Sequence, residues 1–122
     1  MDDELVDQGR IARLEIRGRT SGVVRRVAVG YIERDDGSLI VAAREPGAAW
    51  AANLEAVGTA VVTVADRTMT VEAEVLEVGD PLRVAGVRDL ILRYGTPSEA
   101  LGRGPVFRLV PRPEASRRPS SD

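Results

Sequence analysis

Residues 59–78, TAVVTVADRTMTVEAEVLEV, carry the clearest structural signal in the chain. From 68 to 78, apolar residues alternate with threonine and glutamate, a period of two that is typical of a strand with one buried face. Residues 59–65 form a second run rich in β-branched side chains. Asp66 and Arg67, between the two runs, favour a tight turn. The stretch therefore predicts two antiparallel strands joined as a hairpin.

The segments on either side of this hairpin predict further strands. Residues 11–17, 24–34, 38–44 and 104–110 are alternating or continuous apolar runs bounded by turn residues. The sequence Asp-Asp-Gly at 35–37 is a hairpin signal between two of them. Added to the central hairpin, these runs give six strands in which antiparallel neighbours dominate.

Two short helices are predicted, near residues 47–57 and 80–94. The first is rich in alanine, and Gly58 is placed to end it. The second has Pro81 near its start and apolar residues at helical spacing. With the strands they indicate a mostly β (α+β) fold, a six-stranded antiparallel, partly open β-barrel whose gaps are filled by helices.

The domain is expected to span residues 1–111 as a single unit, as is usual for a chain of 122 residues. Residues 112–122 are rich in proline, serine and charge, and we expect them to be disordered. No apolar run approaches the roughly 20 residues that span a bilayer, and the acidic N-terminus lacks the apolar region of a secretory signal. A cytoplasmic location is the expectation.

The composition excludes several kinds of chemistry. The chain has no histidine and no cysteine, and its 17 basic residues are all arginine. A disulfide, a zinc site, a Ser-His-Asp triad and a Schiff-base lysine therefore cannot be built. No metal site is expected. If the protein is an enzyme, a bound cofactor has to carry the chemistry.

Positive charge gathers around one predicted turn, in the stretch IRGRTSGVVRR at residues 16–26. An arginine guanidinium donates two parallel hydrogen bonds to phosphate or carboxylate, so the cluster fits an anionic ligand. Solvated strand ends are the alternative explanation. Strand alternation places Arg25 and Arg26 on opposite faces, and Arg17 and Arg26 are expected to face solvent.

The chain resembles the deazaflavin (coenzyme F420)-dependent nitroreductase and quinone reductase family. The similarity rests on the order of four motifs, Gly18-Arg19-Thr20-Ser21-Gly22 with Arg25, then Ala42-Ala43-Arg44, then Trp50-Ala51-Ala52-Asn53-Leu54, then Arg103-Gly104-Pro105-Val106-Phe107. It extends over about residues 11–111. It implies a split β-barrel, the fold of flavin-binding proteins related to pyridoxamine oxidase.

The resemblance also implies a cofactor site and an activity. The cofactor-binding residues would be Arg19, Thr20, Ser21, Arg25, Val27, Arg44, Ala49 and Trp50. Tyr94 would be the catalytic residue, because it is all that remains of the tyrosine-rich segment that shapes the family's substrate side. Reduced F420 would pass a hydride to a small acceptor of quinone or nitroaromatic type. We favour this enzyme interpretation.

Several alternatives stay open at this stage. The protein could bind or carry F420 without catalysis, or could bind FMN, whose single phosphate needs fewer arginines. Trp50 could instead be a core anchor, and Tyr94 a helix residue that faces the sheet. Asn53 is interpreted as structural, bonding backbone near the turn. Slight net acidity and only four aromatic residues argue against nucleic-acid binding. A homodimer is one assembly left open.

Overall fold

Seven antiparallel strands form one continuous sheet in the computed structural model, which describes residues 2–95 and 104–112. In sheet order the strands are β2 (Val24–Val29), β1 (Ala12–Arg17), β5 (Thr59–Val64), β6 (Arg67–Val75), β7 (Val106–Pro111), β4 (Leu39–Ala42) and β3 (Ile32–Glu33). The helices are α1 (Asp2–Asp7), α2 (Ala49–Val57) and α3 (Pro81–Tyr94). The mostly β, antiparallel fold predicted from the sequence is confirmed.

The sheet curls into a half-barrel, and the order of its strands shows why. Its two edge strands, β2 and β3, follow one another along the chain, separated only by Gly30 and Tyr31. A flat sheet would hold these two edges six inter-strand spacings apart. A two-residue link can join these edges only if the sheet bends round on itself.

The structure has seven strands where the sequence predicts six, because the run 24–34 divides at Gly30 and Tyr31. The backbone N–H of Tyr31 donates to the Tyr94 hydroxyl at 3.1 Å, so this residue bonds to a side chain at the break. Val27 and Val29 still pack against the core, and Tyr31 belongs to it. The apolar alternation continues through the break, and this is why it indicated a single strand.

The core lies between the curled sheet and α2. The hairpin register pairs Val62 with Met69 and Ala60 with Val71, so the apolar faces of β5 and β6 coincide. Helix α2 adds Ala51 and Leu54, both fully buried. Each large apolar side chain buried in this way contributes about 1.5–3 kcal/mol. This packing fixes α2 against the sheet and so fixes the position of the residues at its N-terminal end.

Both longer helices begin and end close to the residues that the sequence predicts. Helix α3 starts with Pro81, and the Asp80 side chain accepts a hydrogen bond from the Leu82 N–H at 2.9 Å, which caps the first turn. Helix α2 ends at Gly58, which adopts the left-handed conformation with φ 83°. Helix α3 packs Leu90 against a second buried cluster that includes Ile40 and Val106.

The predicted disordered segment begins at Arg112, whose backbone N–H donates to the Thr70 carbonyl at 2.9 Å. Residues 113–122 and Arg103, the first residue of the last family motif, lie outside the described residues. Within the described ranges, no helix is long and apolar enough to cross a membrane.

Candidate functional site

The Gly18–Gly22 turn is built by part of its own sequence. The Gly18 N–H donates to the Val23 carbonyl at 2.8 Å, and the Val23 N–H donates to Ser21 Oγ at 3.1 Å. Arg17 Nη1 donates to the Gly22 carbonyl at 2.9 Å. A Cβ atom at position 18 would lie 2.8 Å from Ser21 Oγ, so a larger residue there would displace the Ser21 hydroxyl. These residues shape the turn and leave Arg19 and Thr20 to face outward from it.

Asn53 ties this turn to α2. Its Oδ1 accepts hydrogen bonds from the Arg19 backbone N–H at 3.1 Å and from Arg19 Nη1 at 2.6 Å. The structural interpretation of Asn53 is therefore confirmed. Because Leu54, the next residue, is buried in the core, the amide holds the Arg19 guanidinium at a fixed place beside the helix.

A cavity of about 500 Å³ lies between the turn, β2 and α2. It is lined by seven of the predicted cofactor-binding residues, Arg19, Thr20, Ser21, Arg25, Val27, Ala49 and Trp50. Arg25 lies opposite the buried Ile16 in the β1–β2 ladder, on the inner face of the sheet. Arg26 also borders the cavity, but its Nε is paired with Glu15 at 2.8 Å and its side chain is 71% exposed. Arg25 and Arg26 thus lie on opposite faces of β2, as strand alternation predicts, while their roles stay a prediction.

A second, larger cavity of about 690 Å³ lies on the other side of Trp50. Its lining includes the remaining predicted residues, Arg44 and Tyr94, together with Ala49 and Trp50 again. The structure thus places all nine predicted site residues on two cavities that share one wall. Both volumes fall within the range of small-molecule sites.

Trp50 fits both interpretations drawn from the sequence. Its ring centroid lies 6.1 Å from that of Phe107, a fully buried core residue, at an interplanar angle of 46°. The same half-buried side chain borders both cavities. It is a core anchor that also presents an apolar surface to whatever enters either cavity.

Some arginines of the described residues pair with a carboxylate, whereas three at the cavities do not, and neither do Arg10, Arg17, Arg34 and Arg93 away from them. Six arginines of the described residues pair with a carboxylate, namely Arg13, Arg26, Arg67, Arg88, Arg108 and Arg112. Across residues 2–95 and 104–112, Arg19, Arg25 and Arg44 have no carboxylate partner. Their positive charge is uncompensated by the protein and is available to an anion.

Tyr94 forms part of the wall of the larger cavity and closes the gap between β2 and β3. Its ring covers Gly30, where a Cβ atom would meet the ring at 2.9 Å. Its hydroxyl donates to the Arg10 carbonyl at 2.7 Å and accepts from the Tyr31 N–H at 3.1 Å. The Arg93 guanidinium lies 5.2 Å from its ring centroid. The hydroxyl hydrogen is therefore already used within the fold.

The strongest pKa shift belongs to the outer surface of the sheet. The Asp36 carboxylate accepts from the Ser38 hydroxyl at 2.6 Å, from the Ser38 N–H at 2.9 Å and from Arg108 Nη2 at 2.7 Å. These bonds, those from Ser38 first, hold the pKa of Asp36 far below its usual value. Hydrogen bonds to carboxylates raise the pKa of Arg67 and of Arg108. None of these groups lines either cavity.

Residues 4–88 match the family model of the F420H2-dependent quinone reductases. The match covers well over half of the chain. The chain belongs to this family. Coenzyme F420 is accordingly the cofactor indicated, and the resemblance stated from the sequence motifs is confirmed. No curated protein shows significant sequence similarity to the chain.

Solved structures share the fold. An F420H2-dependent reductase, FDR-A, has a TM-score of 0.67 at 23% identity, with 82% of this chain and 93% of that chain covered. HutZ, a heme storage protein from Vibrio cholerae, has a TM-score of 0.73 at 17% identity, covering 91% and 87%. Rv2991 from Mycobacterium tuberculosis has a TM-score of 0.65 at 19% identity, covering 90% and 78%. At these identities the likeness establishes architecture.

The residues present fit F420. Its apolar ring system carries a phosphodiester and an oligoglutamate tail, so a site needs cations beside an apolar wall. Arg19, Arg25 and Arg44 provide cations without carboxylate partners among the described residues, and Thr20 adds a hydroxyl. Trp50 and the small Ala49 provide the apolar wall between the two cavities.

Glu45 is a cavity residue that the sequence reasoning missed. It lines the larger cavity next to Arg44 and is exposed. Glu45 directly follows the Ala42-Ala43-Arg44 motif but is not part of it. The available signal was a carboxylate placed directly between that motif and the Pro46-Gly47 loop.

Proposed function

We propose that the protein is an F420H2-dependent oxidoreductase that transfers a hydride to a small organic acceptor of quinone or nitroaromatic type. The observation that carries the proposal is the placement of Arg19, Arg25 and Arg44, all without carboxylate partners among the described residues, on two cavities that share Trp50 as a wall. Such a site supplies cations and an apolar surface to one ligand.

The chain's own contribution is to bind and orient. Arg19 and Arg25, with the Thr20 hydroxyl, would hold phosphate and carboxylate oxygens at the smaller cavity. Arg44 would supply a further cation on the far side of Trp50. When bound, reduced F420 supplies the hydride. Trp50 and Ala49 would present an apolar surface to the ring system at the boundary that the cavities share.

Tyr94 stays a prediction as the proton donor to the reduced acceptor. Its side chain lines the larger cavity, as that role requires. Its hydroxyl donates to the Arg10 carbonyl, so donation to an acceptor requires that hydrogen bond to break. Solvent water is the competing proton source at this open cavity.

Cofactor binding without catalysis is the second candidate function. The engaged Tyr94 hydroxyl favours it, because no other hydroxyl side chain lines the larger cavity among the described residues. FMN is the less favoured ligand, since its one phosphate leaves part of the arginine set unused.

A titration separates these functions. Purified protein is titrated with F420 and with FMN while Trp50 fluorescence is followed, since Trp50 is the only tryptophan. Reduced F420 is then mixed with a quinone or a nitroaromatic compound, and its oxidation is recorded. The proposal expects tight F420 binding and oxidation that depends on both protein and acceptor. Binding without oxidation favours the carrier, and tighter binding of FMN would contradict the proposal.

We propose a cytoplasmic protein with no nucleic-acid partner. A structural relative with a TM-score of 0.68 is described as a domain-swapped dimer, which supports a homodimer here. Light scattering coupled to size-exclusion chromatography measures the assembly directly, and a monomer at all concentrations would refute the dimer.

A further inference from the structure

Glu45 is the one acidic residue among those that line the larger cavity, and no acidic residue is among those that line the smaller one. The two cavities therefore differ in charge. Arginines without carboxylate partners dominate the smaller one, while the larger one combines Arg44 and Glu45 with apolar walls such as Ala42 and Leu90.

The Glu45 backbone is held in place. Its carbonyl accepts from the Ala48 N–H at 3.2 Å. Gly104 packs on it so closely that a Cβ atom at 104 would lie 3.0 Å from the Glu45 carbonyl oxygen. The side chain therefore starts from a fixed point at the cavity.

The Glu45 charge is not neutralised within residues 2–95 and 104–112. Glu15, Glu33, Glu72 and Glu74 each pair with an arginine, whereas Glu45 has no ion pair there. Once Arg44 is engaged by an anionic cofactor, as the proposed function requires, Glu45 leaves a net negative charge beside the acceptor space.

We infer that Glu45 is a specificity-determining residue that makes the larger cavity favour neutral or cationic acceptors over anionic ones. This inference rests on the proposed function. An acceptor with its own negative charge is repelled by the carboxylate. Repulsion between two like charges about 4 Å apart in a water-like medium lowers the binding affinity by roughly fivefold. Neutral, planar acceptors contact the apolar walls without this penalty.

The test compares 1,4-naphthoquinone with 1,4-naphthoquinone-2-sulfonate in wild type and in Glu45→Gln. The measured quantity is the ratio of kcat/KM for the sulfonate to kcat/KM for the neutral quinone, with reduced F420 as donor. Because each ratio is compared across variants, the different potentials of the two quinones cancel. We expect the ratio to rise about fivefold in Glu45→Gln and the difference to shrink in 0.5 M NaCl. Glu55→Gln, on the exposed face of α2, is the matched control and should leave the ratio unchanged.

A binding measurement makes the result independent of turnover. Calorimetry with each quinone, in protein saturated with oxidised F420, occupies the arginines and supplies no hydride. The sulfonate should bind about fivefold more tightly to Glu45→Gln than to wild type. Equal sulfonate affinities, or an equal shift in Glu55→Gln, would overturn the inference. If F420 binds but neither quinone is reduced, hydride transfer fails while this arm still decides the role of Glu45. If F420 does not bind, both proposals fall.

Discussion

Arg25 and Arg67 are both exposed arginines on strands, but their surroundings differ. Arg67 places its Nη2 3.2 Å from Glu33 Oε1 and its Nη1 3.4 Å from Glu33 Oε2, which joins β6 to β3 across the sheet. Arg25 lines a cavity and has no carboxylate partner in the described residues. In a chain with 17 basic residues, all of them arginine, the number of arginines carries little information about function. A position on a cavity together with the missing carboxylate partner is what distinguishes Arg25 from Arg67.

The largest effect is expected at the cavity arginines. Arg25→Ala should weaken F420 binding by about 1.5–3 kcal/mol, about 10- to 150-fold, because hydrogen bonds to charged groups are lost. Arg19→Ala and Arg44→Ala should fall in the same range. Calorimetric titration measures it, and Arg112→Ala is the control, since Arg112 pairs with Glu72. A loss at Arg112 equal to that at Arg25 would indicate non-specific charge attraction.

Thermal or urea unfolding completes this first test. Arg25→Ala should change the free energy of unfolding by less than about 0.5 kcal/mol, as is usual for an exposed position without partners. Arg25 is preferred to Arg19 for this purpose, because Arg19 also bonds Asn53.

Tyr94→Phe tests whether the tyrosine of the larger cavity has a structural role, a catalytic role or both. Removing the hydroxyl leaves the Tyr31 N–H and the Arg10 carbonyl without this partner, so we expect a loss of about 1–3 kcal/mol in unfolding free energy. F420 affinity should change little, because the ring still covers Gly30. If Tyr94 is the proton donor, turnover falls as well, by about 10²–10⁴-fold. Unchanged stability would contradict the structural role, and unchanged turnover would remove the catalytic assignment.

Arg67→Ala should have a small effect on stability, whereas Arg25→Ala should affect F420 binding. Exposed ion pairs contribute about 0.2–1 kcal/mol, so urea unfolding should show a loss of that size that diminishes in high salt. F420 affinity should be unchanged. Weaker F420 binding in this variant would show that the outer arginines also serve the ligand.

Asp36 offers a pH test of the structural surface. Its pKa is lowered in the folded state, so its contribution to stability is fully present above the ordinary aspartate pKa of about 3.9 and is lost as the pH falls below it. Between pH 5 and pH 2.5, the free energy of unfolding should fall less steeply with decreasing pH for Asp36→Asn than for wild type, because the variant lacks that contribution. Parallel curves would contradict the shift.

Much of the fold could be predicted from the sequence, because the decisive signals are local. The alternation at 68–78 and the glycine after α2 act within a few residues, and the structure has strand β6 and the left-handed Gly58 there. The break at Gly30 could not be predicted, because it depends on a hydroxyl 63 residues away along the chain.

The sequence could nominate residues that line the two cavities, but it could not predict which of their charges are paired. Motif order brought Arg19, Arg25 and Arg44 together as candidates. Which arginines lack a partner depends on tertiary contacts, such as that between Arg67 and Glu33, separated by 34 residues. Glu45 was not predicted, because it lies outside the four motifs on which the resemblance rests, although it lines the larger cavity.

Arg19, Arg25 and Arg44, the cavity arginines without carboxylate partners, are proposed to bind the anionic part of F420. The most direct test titrates wild type and the triple variant Arg19→Ala, Arg25→Ala, Arg44→Ala with two ligands, F420 and the same deazaflavin ring without its phosphate and glutamates. We predict that wild type binds F420 at least about 100-fold more tightly than the ring alone, and that this ratio falls below about tenfold in the triple variant. A ratio that stays the same in both proteins would contradict the account.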